Sequence, residues 1–118
     1  MNLTEYQCHI LKIASTAQIN TLIEITLNPK DLRDIQEESF LEYSNVKGEE
    51  DILTALDEWI EVFQQLHDNP EQVLELNHSK TRVLIEVLME QNEIHNFDPK
   101  EFLDLTQRLS MFAKTTPN

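Results

Sequence analysis

A chain of 118 residues with 40% hydrophobic content carries enough apolar surface for one core, and a net charge of −13 excludes direct attraction to a nucleic-acid backbone. Gly48 is the single glycine, which argues against the glycine-lined phosphate loops of nucleotide enzymes and the tight hairpins of β-rich folds. What remains is an all-α protein, one domain over 1–118, built as a compact bundle of five to seven short helices with a buried central helix near residues 78–92.

The first residues, Met1 to Tyr6, lack the basic stretch of a signal peptide, and no apolar run approaches the roughly 18 residues of a membrane span. The single cysteine, Cys8, has no disulfide partner and no CxxC neighbour, so it reads as a small packing residue. The expectation is a cytoplasmic protein with no membrane contact.

Thr4 followed by Gln7 marks the first helix start. The stripe Tyr6, Ile10, Ile13, Ala14 and Ala17 has helical spacing, but the next apolar set, Ile19, Leu22, Ile23 and Leu27, lies on another arc. A helix over 5–17 is therefore expected, followed by a segment to Leu27 that is a bent continuation, a separate helix or, given alternating β-branched Thr21, Ile23 and Ile25, a short strand.

Asn28-Pro29, Asn69-Pro70 and Asp98-Pro99 each place a side-chain acceptor before a proline at the first helical position, where its missing N–H costs nothing. Asp31, Gln72 and Glu101 follow at the third helical position, from which a side chain can reach back to the cap. The second helix is expected from Pro29 to about Tyr43 on Leu32, Ile35, Phe40 and Tyr43.

Between Glu49 and His67, Ile52, Leu56, Trp59, Ile60, Phe63 and Leu66 form one apolar face with Asp57, Glu58 and Glu61 opposite. A short helix with Val73, Leu74 and Leu76 should stop at Asn77, which caps a helix over 78–92. That helix is apolar nearly all round, with Arg82, Glu86 and Glu90 as its narrow polar edge. A last helix from Pro99 to about Lys114 uses Phe102, Leu105, Leu109 and Phe112.

Charge is unevenly distributed along these elements. Residues 1–30 are neutral and residues 76–118 carry −1, whereas in 31–75 fourteen carboxylates meet two bases, Arg33 and Lys47, for a net −12. Like charges three or four apart on a helix repel by roughly 0.2–0.5 kcal/mol per pair, and Asp57, Glu58 and Glu61 have no lysine nearby to relieve them. The plain role of such a surface is solubility; its sharper role is to dock a basic protein. Asp34, Glu38, Asp57, Glu58 and Glu61 are the candidate partner-binding acids. Leu41 joins them, because the helical wheel places it among Asp34 and Glu37, opposite Leu32.

No constellation for catalysis emerges. Glu75 and His78 have the Glu-x-x-His spacing of carboxylate-bridged metal bundles, but no second such pair exists and Asn77 interrupts the helix between them. Glu5 with His9 and His67 with Glu71 are four apart, as ordinary ion pairs are. Cys8 and His9 diverge by about 100° on a helix, so they make no nucleophile and base. Glu86, Glu90 and Glu93 could line one edge of the central helix, and a neighbouring helix bearing bases such as Arg108 and Lys114 explains them as well as a catalytic role does. The expectation is a non-enzyme with no cofactor and no metal: an inhibitor, an immunity or antitoxin-type protein, or a chaperone that presents acids to a basic protein partner. The alternatives are a structural or regulatory subunit docked through an apolar helix face, with Trp59 and Phe63 at the interface, and a metal- or carboxylate-dependent enzyme. Oligomeric state is left open.

Overall fold

The computed structural model describes residues 3–27 and 49–115, with side chains described over 3–27 and 53–111. Among the described residues there are four α-helices and one 3-10 helix, and no strand. They are α1 (Glu5–Leu27), α2 (Glu49–Asp68), the 3-10 helix (Pro70–Glu75), α3 (His78–His95) and α4 (Pro99–Thr115). The chain is an all-α bundle. The helix expected from Pro29 to Tyr43 lies outside the described residues, and so do Asp34, Glu38 and Leu41.

Helix α1 runs unbroken to Leu27, so the expected change of phase is a continuation and neither a second helix nor a strand. The reason is visible in its buried face, which repeats at three and four through Gln7, Ile10, Leu11, Ala14, Ser15, Gln18 and Leu22. Three of those residues are polar, so a search for apolar spacing follows the flanks instead and finds a false break. The β-branched threonines are accommodated by hydroxyl bonds to the preceding turn, from Thr21 Oγ1 to the Ala17 carbonyl at 3.0 Å and from Thr26 Oγ1 to the Leu22 carbonyl at 2.9 Å.

Helix α2 follows its amphipathic pattern: Leu56, Trp59, Phe63 and Leu66 are buried, and the rings of Trp59 and Phe63 lie 6.0 Å apart. Each such side chain contributes about 1.5–3 kcal/mol when fully removed from water. Trp59 and Phe63, expected at the interface in the docked-subunit alternative, are buried in the core of this chain.

Helix α3 starts where Asn77 caps it, its side chain accepting from the Lys80 N–H at 2.9 Å. It runs one turn beyond Asn92 and ends at Asn96, which is left-handed at φ 51 and accepts this conformation as glycine otherwise would. The helix expected at the centre of the bundle is buried along one face, through Thr81, Val83, Leu84, Val87 and Leu88, with Met89 57% exposed on the other. Among the described elements α1 packs most extensively on α2 and also meets the 3-10 helix, α3 and α4. Leu105 and Leu109 of α4 complete the core, with Phe97 and Phe102 stacked at the α3–α4 corner.

Candidate functional site

The outer face of α2 begins with what the helix does to its charges. Burying Leu56, Trp59 and Phe63 turns Asp57, Glu58 and Glu61 outward, and all three are exposed. No ion pair or hydrogen bond ties any of them to another described residue. Leu53, one turn before Asp57, is 37% exposed and sets an apolar group at the edge of the described acids. That residue escaped the sequence reading, although its position four before Asp57 placed it on the same line of the wheel.

Carboxylates elsewhere in the bundle behave differently. At the starts of α1 and α4, Thr4 and Gln7 form a complete capping box: the Gln7 N–H donates to Thr4 Oγ1 at 3.1 Å and the Thr4 N–H donates to Gln7 Oε1 at 3.1 Å. The fully buried Gln7 amide then reaches into α4, donating to Asp104 Oδ2 at 2.7 Å and to the Glu101 carbonyl at 3.3 Å. Thr4 Oγ1 donates to Glu101 Oε2 at 2.6 Å, and Arg108 holds Asp104 at 3.0 Å.

The Asp98 side chain caps α4 as its spacing predicts, accepting from the Glu101 N–H at 3.2 Å. Glu101 does not close the box. The Asp98 N–H donates instead to the Tyr6 hydroxyl at 2.8 Å, which frees Glu101 for Thr4. Asn69 does not act as a side-chain cap at all: its backbone carbonyl accepts from the Gln72 N–H at 3.0 Å, so the i→i+3 bonding of the 3-10 helix already engages the N–H that a side-chain cap would take.

The remaining sequence candidates are dispersed. Glu75 closes the 3-10 helix and His78 opens α3, with the Asn77 cap between them. Among the described residues no group of three or more His, Cys, Asp or Glu could hold a metal ion. His67 sits 3.3 Å from Asp68 rather than pairing with Glu71. Glu86, Glu90 and Glu93 are exposed on α3. Cys8 is half-buried and burial pushes its thiol upward, with Glu71 adding to the rise and Lys12 opposing it; a raised thiol holds little thiolate at neutral pH and is a poor nucleophile. No helix among the described residues is long and apolar enough to cross a membrane.

Comparison with known proteins returns no match to a family model, to a curated protein or to a solved structure.

Proposed function

We propose that this chain is a small acidic partner-binding protein, an inhibitor, an immunity or antitoxin-type protein, or a chaperone, that presents the outer face of α2 to a basic protein. It acts by binding and not by catalysis. The observation that carries this reading is the contrast within the acids: Asp57, Glu58 and Glu61 are exposed and serve no internal contact among the described residues, although their spacing on one helix costs folding free energy. Their field would accelerate encounter with a positively charged surface and give the complex its orientation.

The test is a parallel co-purification from the native cells with wild-type chain and with D57K/E58K/E61K as bait. A basic protein retained by the first, lost by the second and released by moderate salt supports the reading. Equal retention of the same partners by both baits overturns it.

A second reading rests on Leu103 and Met111, which are 57% and 68% exposed and lie two turns apart on the outer face of α4. A subunit docked there would leave the acids as solvated exterior, and its binding would respond little to salt.

A further inference from the structure

Where α2 meets the 3-10 helix there is a cavity of about 160 Å³, lined by Val62, Gln65, Leu66, Gln72, Glu75 and Leu76. Leu66 is buried and Val62 and Leu76 are half-buried, so one part of the lining is apolar. Gln65 and Glu75 are exposed and Gln72 is half-buried; none of these three side chains hydrogen-bonds to another described residue. Two amides and a carboxylate thus border an apolar recess with their acceptors unused.

Position links this cavity to the acids. Glu58 and Glu61 stand four residues before Val62 and Gln65 on the same helix, so the recess opens where the acid face ends. The recess is open to solvent on one side, and its volume is of the order of a single side chain, since an enclosed cavity of about 150 Å³ holds a benzene-sized group.

We infer that the cavity receives an arginine side chain of the basic partner, an inference that rests on the acid-face reading above. The aliphatic stem of arginine covers Val62, Leu66 and Leu76, as long cationic side chains cover apolar surface elsewhere. Its planar head carries five N–H donors in a fixed fork. Two of them match the Glu75 carboxylate, and the others fall to the amide oxygens of Gln65 and Gln72. Lysine carries a compact, strongly hydrated ammonium that acts as a point charge and offers the carboxylate no bidentate fork. An aliphatic side chain would cover the apolar part of the recess but gain nothing from the carboxylate and the two amides at its border.

The test titrates the full chain, followed by NMR of methyl and side-chain amide groups, with N-acetyl-arginine amide, N-acetyl-lysine amide and N-acetyl-norleucine amide. An octalysine peptide is titrated in parallel as a probe of the acid face alone. The arginine compound is expected to shift the Leu66 and Leu76 methyls and the Gln65 and Gln72 amides saturably, at least fivefold more tightly than the other two. Glu75→Gln should weaken it at least fivefold while the rest of the spectrum stays in place. D57K/E58K/E61K should weaken octalysine strongly and leave the preference for arginine over lysine intact. Equal response to the arginine and lysine compounds, or arginine shifts that avoid the cavity residues, overturns the cavity assignment; octalysine binding that survives the triple reversal overturns the acid-face reading separately.

Discussion

Two groups of carboxylates in this bundle have opposite fates. At the α1–α4 junction Asp98, Glu101 and Asp104 accept from a backbone N–H, the Thr4 hydroxyl, the buried Gln7 amide and Arg108. On α2, Asp57, Glu58 and Glu61 accept from no described residue. The first group is explained by folding alone: its acids satisfy donors at two helix N-termini, where negative charge is also favoured by the helix dipole. The second has no such explanation. An acidic composition therefore contains two populations, and the presence or absence of internal partners separates them more sharply than the count of charges.

The contrast predicts unequal costs. Gln7→Ala removes a cap acceptor and two interhelical bonds from a fully buried site, and the urea midpoint should fall by the equivalent of about 2–3 kcal/mol. Asp57→Ala, Glu58→Ala and Glu61→Ala should each stay within about 0.5 kcal/mol of wild type. Comparable losses at the two sites would erase the distinction.

A finer version concerns Tyr6, whose hydroxyl takes the Asp98 N–H in place of Glu101. At 39% exposure water can partly substitute, so Tyr6→Phe should cost about 0.5–1 kcal/mol, read from the same denaturation curves. A wild-type midpoint would mean that Glu101 turns back and closes its own box.

Salt sharpens the comparison from the other side. With a net −12 over residues 31–75, screening over a Debye length of about 8 Å near physiological ionic strength relieves self-repulsion. The urea midpoint should rise with sodium chloride, and rise less in D57K/E58K/E61K. A midpoint that falls with salt would show that attraction, as at the junction, dominates the charge balance of the whole molecule.

Cys8 should give the smallest effect. Its thiol is raised in the folded state by burial and by Glu71, so the folded form favours the proton. Its contribution to stability is complete below the ordinary thiol value of 9.0 and is lost as pH rises from there through the folded value. Alkylation of the native protein at pH 8 should be slower than that of the unfolded chain; equal rates would contradict the shift.

Much of the fold was legible because local rules carried it. The Thr4–Gln7 and Asn77 caps, the Asp98-Pro99 start and the two faces of α2 depend on residues within one or two turns of each other. What escaped was non-local. Nothing in the neighbourhood of Gln7 announces that its amide will meet Asp104, and the polar Ser15 and Gln18 hid the buried stripe of α1 from any search for apolar periodicity. Met89 faces outward because neighbours, not α3 itself, decide which side of an all-round apolar helix is covered. On α2 the acids were legible, whereas Leu53 and the recess beside Glu75 became visible only once the helices were packed.

The junction also bears on how long the native state lasts. Thr4 and Glu101 are 97 residues apart in sequence, and closing a loop of that length costs about 4 kcal/mol of chain entropy before any contact is returned. Such contacts tend to form after the rate-limiting step, when shorter-range packing has already drawn the ends together. Weakening Gln7 should then accelerate unfolding and leave refolding nearly unchanged. The latch between the first and last helices would in that case govern the lifetime of the folded protein more than the speed with which it is reached.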